Sequence, residues 1–381
     1  MFGEVKVMIP GPTPVVSAIR EAIGREVQAF GDPRFVQDYK SLIDDLSVVF
    51  GCDGQAFPLA GSGTLGMEMA IANSTKPGDR VLLVSHGFFG DRFIEICERK
   101  ERVVDLLAAA WGQAVPLADI EARLKENTYA LVAVTHVDTS TGVRADIDAI
   151  GTLVSQYPDT LFLVDGVAST AGEYEHMAEQ RIDLLLTGSQ KAFGVSPGMF
   201  IVWANQRALA RRRSLGRIYD YYVDFEKWQP IMDNPAKYFA TPPVNLVWAM
   251  RASLDIIEKE GMKARAARHE QMARALQAAF ESLGLKLVAE PEHRATTLSA
   301  ILYPEGINDQ AFRSRLFEEG VVVAGTLGPI AGKGFRVGHM GNVDALDFVY
   351  LLSAVERALR AQGVNVAYGT SVKVYLETLE K

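Results

Sequence analysis

Residues 160–203 read TLFLVDGVASTAGEYEHMAEQRIDLLLTGSQKAFGVSPGMFIVW. Three short runs in this stretch, Thr160–Val164, Asp183–Thr187 and Met199–Trp203, are nearly all apolar rather than alternating. That is the pattern of strands covered on both faces in a parallel sheet. Two of them run into turns that carry a charged residue, Asp165 and Lys191. In open α/β sheets the carboxyl edge of the strands is where ligands bind.

The same alternation extends upstream. Arg80–Ser85, Arg102–Leu107 and Tyr129–Thr135 read as strands, and they are interleaved with helical spacing at 64–73, Asp91–Lys100 and Asp146–Gln156. Strands alternating with helices predict a doubly wound α/β layer. Before it, Val15–Ala29 and Phe35–Phe50 have helical spacing, and PGPTP at 10–14 cannot be helical and reads as an extended arm.

Downstream, 204–245 is irregular and rich in Arg and Tyr. Two long helices are expected at Asn245–Glu258 and Ala264–Leu283. After Gly284, short strands (Leu285–Ala289, Thr297–Leu302, Val321–Ala324, Gly334–Gly338) alternate with helices at Asp309–Glu319 and Asp344–Gln362. The organisation expected is an N-terminal arm (1–20), a large domain (21–260) and a small C-terminal α/β domain (261–381). The stretch Val364–Lys381 has no assignment.

Composition sets the class. The chain has 381 residues, 48% hydrophobic and 23% charged, with a net charge of -8. That is ordinary globular usage and gives no basic footprint for nucleic acid or anionic membranes. Its two cysteines, Cys52 and Cys97, form neither a disulfide framework nor a metal-ligand spacing. No basic, apolar leader opens the chain, and no apolar run reaches the roughly 20 residues that span a bilayer. A cytoplasmic protein without a metal is expected.

Four features carry chemistry. Gly61-Ser62-Gly63-Thr64 opens a helix, and free N–H groups at a helix start favour phosphate. Alone, it reads more readily as a plain capped turn than as a phosphate site. Asp165, closing a buried strand, calls for a cationic partner unless it only caps a turn. Lysines are normally solvated, but Lys191 lies in a Gly/Ser/Pro-rich turn between two buried strands. A desolvated lysine has a lowered pKa and becomes a nucleophilic amine. Arg336, in KGFRVGHMG, offers the two-pronged fork that binds carboxylates. Phosphate cradle, acidic partner, amine and carboxylate fork are the parts required for pyridoxal 5'-phosphate chemistry on an amino acid.

The segments PGPTPV, AGSGTLGMEMAIAN, VTHVDTSTGV, LVDGVAS, LTGSQKAFGVSPG, KYFATPPV and FRVGHMG, spanning residues 10 to 341, carry a family resemblance. The chain resembles the class V, fold-type I aminotransferases, and most of all their alanine/serine–glyoxylate group. The resemblance implies a large domain with a mostly parallel seven-stranded sheet between helices, and a smaller C-terminal α/β domain. It implies that Ser62, Gly63 and Thr64 form the phosphate turn, that Phe89 stacks on the cofactor, and that Thr139 lies near its phenolic oxygen. Asp165 then pairs with the pyridine nitrogen, and Val167 packs on the other ring face. Gln190 contacts the phosphate side, Lys191 is the Schiff-base lysine, and Arg336 binds the substrate carboxylate. Tyr238 and Thr241 correspond to residues that serve the phosphate site of the other subunit, which implies a homodimer with shared active sites. Two places depart from the family pattern: Phe30-Gly31-Asp32-Pro33 stands where many relatives carry a basic residue, and His339 occupies a variable place, either tuning the pocket or packing beneath the small domain.

The activity implied is ping-pong transamination between a small amino acid, alanine or serine, and a 2-oxo acid, glyoxylate or pyruvate. A 2-aminoethylphosphonate–pyruvate or aspartate-using relative is the alternative. A desulfurase needs a reactive cysteine late in the chain, and none follows Cys97. A non-catalytic cofactor-binding protein would be expected to lack Lys191 or Asp165, and both are present.

Overall fold

The computed structural model describes residues 5–381. The first four residues of the expected arm lie outside that range.

A seven-stranded sheet forms the centre. Its strand order is Gln55–Ala60, Met199–Ala204, Leu184–Gly188, Leu161–Asp165, Leu131–Thr135, Arg80–Ser85, Val103–Ala108. Met199–Ala204 runs antiparallel to both of its neighbours, and the other pairings are parallel. The five-residue strand Leu161–Asp165 is buried throughout, as its unbroken apolar run requires. From Arg80–Ser85 the chain moves out to the edge at Val103–Ala108, and it then returns to the opposite side at Leu131–Thr135. The carboxyl-edge crevice at that reversal is the ligand position of such sheets.

Gln55–Ala60 is a strand with no counterpart in the sequence reading, and Pro58 runs against local strand chemistry. As an edge strand it needs no ladder N–H at that residue. Two further helices, Gln206–Ser214 and Phe225–Asp233, lie in the stretch read as irregular. Asn205 and Asp224 cap them by accepting from Ala208 N and Glu226 N. Asp224 also receives the buried Arg212 in a fork, at 2.9 and 2.8 Å. The helix expected over Val15–Ala29 is confined to Ser17–Ile23, stopping at Gly24. At the departure Phe30–Pro33, Asp32 caps the helix Pro33–Val49 by accepting from Arg34 N, and Pro33 takes the first helical position.

Two apolar cores are present. The larger surrounds the seven-stranded sheet. The second gathers residues between Met272 and Tyr375, with Met8 joining from the arm. It covers a four-stranded antiparallel sheet whose centre pairs Leu298–Leu302 with Gly334–Gly338. The unassigned tail contains a helix, Thr370–Leu379. Its start is capped from a distance: the buried Glu356 accepts from Gly369 N, Ser371 N and Ser371 Oγ. A carboxylate supplied from elsewhere in the chain leaves no local capping motif in the tail.

The arm links the two cores. Lys6–Val7 pairs in parallel with Val321–Val322. Thr13 then bonds the Gln190 carbonyl through its N–H and the Lys191 carbonyl through its hydroxyl, at 3.0 and 2.7 Å.

Candidate active site

Lys191 follows the strand Leu184–Gly188 and projects beneath the arm, where its Nζ donates to the Pro10 carbonyl. Gly11 makes that approach feasible. A Cβ there would lie 2.5 Å from Lys191 Cδ and 2.9 Å from Nζ. Its φ of +116° is also backbone that side-chain-bearing residues avoid. Burial, and after it the Arg336 guanidinium, push the amine down to about 8, against the attraction of Asp165. An amine near 8 is partly unprotonated at neutral pH, as proton abstraction requires.

Asp165 closes the strand Leu161–Asp165. Its Oδ1 accepts from Val167 N at 3.0 Å, and Oδ2 has a longer contact, 3.3 Å, with Thr135 Oγ1. Burial outweighs these bonds and raises the carboxyl to about 6. A buried acid held that high is short of positive charge, and a protonated ring nitrogen supplies it.

The phosphate turn also fits. Ser62 precedes the helix Gly63–Ser74, and its side chain makes no capping bond. The first helical amides converge there together with the dipole. A Cβ at Gly63 would come within 2.7 Å of Val167 Cγ2, so the turn and the Asp165 loop are in close contact. The residues present therefore suit pyridoxal phosphate at both of its ends.

Phe89 lies in the first turn of the helix Phe88–Arg99. The residue that fixes it, Asp138, was not singled out from sequence. Asp138 is fully buried. Its Oδ2 accepts from Phe89 N and Gly90 N, both at 3.0 Å, and its Oδ1 accepts from Ser140 N and Oγ at 2.9 and 2.6 Å. The available signal was an acidic residue inside THVDTSTG, just after an apolar strand. Thr139, next in sequence, is buried, and its carbonyl accepts from Arg336 Nη1 at 3.0 Å. Arg336 Nε bonds the Gly325 carbonyl at 2.8 Å. These two bonds aim the guanidinium and leave its remaining N–H groups for a carboxylate.

Gln190 lies beside Lys191, with its Oε1 packed over Gly188. Tyr238 is 62% exposed. Its ring lies 5.1 Å from that of Phe30, and its hydroxyl is 3.4 Å from Thr241 Oγ1. Those contacts tie Tyr238 and Thr241 to each other and to the surface, not to the Lys191 cluster of the same chain. His339 is fully buried, with Nδ1 on the Thr296 carbonyl and Nε2 on Ser299 Oγ, and burial lowers it to about 4. It packs as a neutral residue within the small sheet. Burial raises the thiols of Cys52 and Cys97 to about 11 and about 12, so neither is a reactive thiolate.

Fold and site together define a fold-type I pyridoxal-phosphate-dependent transferase. Residues 60–333 match the family model described as aminotransferase class-V. The chain belongs to that family and is a pyridoxal-phosphate-dependent aminotransferase. It is 35% identical to a serine–glyoxylate aminotransferase from Hyphomicrobium methylovorum, over 98% of this chain and 94% of the relative. It is 34% identical to alanine–glyoxylate aminotransferase 1 of Saccharomyces cerevisiae, over 88% and 91%. The crystal structure of ureidoglycine–glyoxylate aminotransferase from Bacillus subtilis superposes with a TM-score of 0.94 at 27% identity, over 100% of this chain and 99% of that one.

Proposed function

We propose that this aminotransferase moves an amino group from a small 2-amino acid, alanine or serine, to glyoxylate. The observation that carries the reading is the position of Arg336: a half-buried guanidinium, held by two backbone carbonyls and close enough to depress the amine of Lys191. A carboxylate on that fork places its α-carbon towards the lysine. The three relatives differ in donor and share glyoxylate in their names, which supports that acceptor over pyruvate.

When bound, the cofactor supplies an electron-withdrawing ring conjugated to the substrate nitrogen. The amides of Gly63 and Thr64, with the Ser62 hydroxyl, would receive the phosphate. Asp165 would hold the ring nitrogen protonated, and Val167 and Phe89 would line the ring site. Lys191 would hold the cofactor, and its unprotonated amine would take the α-proton on Nζ and return it. Arg336 orients each carboxylate in turn, so one site serves donor and acceptor in alternation. The exposed Tyr238 and Thr241 act across a homodimer interface, on the phosphate turn of the partner subunit. A cytoplasmic location is part of this reading.

The test is a half-reaction screen on purified protein. Alanine or serine should bleach the bound cofactor's yellow colour, and glyoxylate should restore it. Lys191→Ala should abolish turnover, and borohydride should attach the cofactor to the Lys191 peptide. Arg336→Lys should raise KM for both carboxylate substrates. Bleaching by 2-aminoethylphosphonate but by no amino acid would overturn the donor assignment.

A further inference from the structure

Arg92 stands one helical turn beyond Phe89 in the helix Phe88–Arg99, and it is half-buried. Its Nη1 donates to Thr64 Oγ1 at 3.0 Å. Its guanidinium carbon lies 5.1 Å from the centre of the Phe89 ring. Among the described residues it joins no carboxylate in an ion pair, whereas its helix neighbour Arg99 is paired with Glu95. A cation that is partly desolvated, unpaired and aimed at a hydroxyl is uncommon unless an anion completes it.

The hydroxyl it meets belongs to the turn Ser62-Gly63-Thr64. Thr64 Oγ1 accepts from Arg92, so its own proton is left to donate elsewhere. A donor behind a hydroxyl polarises it and strengthens the bond it makes in front. We propose that Arg92 is a positioning residue for the cofactor's phosphate: it orients and polarises Thr64 Oγ1–H towards the phosphate. This role rests on the proposed cofactor site and goes beyond it, because it assigns the phosphate end a cation that Ser62, Gly63 and Thr64 lack.

The experiment titrates pyridoxal 5'-phosphate and, separately, pyridoxal, which lacks the phosphate, into the full-length protein freed of cofactor, and follows the yellow adduct. A polarised bond to a charged group corresponds to roughly a tenfold or greater change in Kd. Arg92→Ala should weaken pyridoxal phosphate by that factor and leave pyridoxal within about twofold. Thr64→Val should do the same, and the double variant should be no worse than the weaker single one. Arg92→Lys retains the charge without the fork, and should recover part of the affinity while guarding against a folding defect in the alanine variant. An equal loss for both ligands would show that Arg92 acts through Phe89 or the fold, and no loss for either would remove the role altogether. Should the unaltered protein form no adduct with pyridoxal phosphate, the cofactor site itself fails. Should it form one that Arg92→Ala and Thr64→Val both match, only the Arg92 assignment fails.

Discussion

Arg265 Nη2 donates to the carbonyl of Ala192, the residue after Lys191, at 2.8 Å. From the same fully buried guanidinium, Nε donates to the Ala171 carbonyl at 2.7 Å, and Nη1 meets Glu260 at 2.8 Å. Ala171 closes the loop that begins at Asp165 and adopts a left-handed φ of 67°. One side chain on the helix Met262–Ser282 therefore holds the turns that carry both Asp165 and Lys191.

Arg265→Met should be strongly destabilising. It leaves two buried carbonyls without donors and removes one cation from Glu260, which keeps Arg268 at 2.6 Å. Glu260 is partly exposed and stays paired, so the cost comes from the two carbonyls, at about 1–3 kcal/mol each. Denaturant unfolding should show a lower midpoint with little change in slope. An unaltered midpoint would mean that the two turns are held by other contacts.

Asp165→Asn should trade function for stability. The native carboxyl titrates near 6, above its usual 3.8, so the folded protein binds the proton more tightly than the unfolded chain does. Above pH 6 the buried charge is a full penalty, on the order of 3 kcal/mol, and it fades as pH falls towards 3.8. Freed of cofactor, the asparagine variant should be the more stable protein at about pH 7.5, and its advantage should shrink by about pH 4.5. It should also hold the cofactor less well and turn over far more slowly. An advantage that does not change with pH would sink the assignment of the penalty to this carboxyl.

How far the sequence discloses all this depends on range. Buried parallel strands announce themselves as unbroken apolar runs, and Leu161–Asp165 and Leu184–Gly188 bring Asp165 and Lys191 to one sheet edge as their spacing implies. The edge strand Gln55–Ala60 stays hidden because Pro58 contradicts local strand chemistry and only its place in the sheet excuses it. The tail helix hides for a similar reason, since its cap, Glu356, lies earlier in the chain. Asp138 and Arg265 also act on backbone groups far from them in sequence, and their neighbours do not show which groups those are. His339 shows the opposite case: it stands conspicuously in a motif, yet its partners Thr296 and Ser299 make it ordinary core.

Asp138→Asn tests the fixation of Phe89. The carboxylate accepts from three backbone N–H groups and one hydroxyl. An amide presents only one oxygen, so at one end the new NH2 faces donors. Unsatisfied buried donors cost about 1–3 kcal/mol each. The unfolding midpoint should fall, and cofactor affinity should drop with it, because the helix start bearing Phe89 loosens. A variant that loses stability but keeps the cofactor Kd of the unaltered protein would separate Asp138 from the site.

Gly11→Ala addresses the arm directly. The added methyl carbon would sit 2.5 Å from Lys191 Cδ, so one of the two must give way. The lysine side chain is the softer partner, and moving it withdraws Nζ from its place under the Pro10 carbonyl. A φ of +116° adds strain of about 1–3 kcal/mol for a residue with a Cβ, which the arm can relieve by shifting away from Lys191. Either response displaces the amine relative to Asp165 and Arg336. A shift of about 1 Å in a reacting group lowers turnover by roughly a hundredfold. The expected outcome is a folded protein whose kcat falls by about that factor, with a much smaller change in KM for glyoxylate, since Arg336 is untouched. Steady-state kinetics on both substrates checks it. Unimpaired kcat would show that the lysine reaches its working position without the clearance that Gly11 provides.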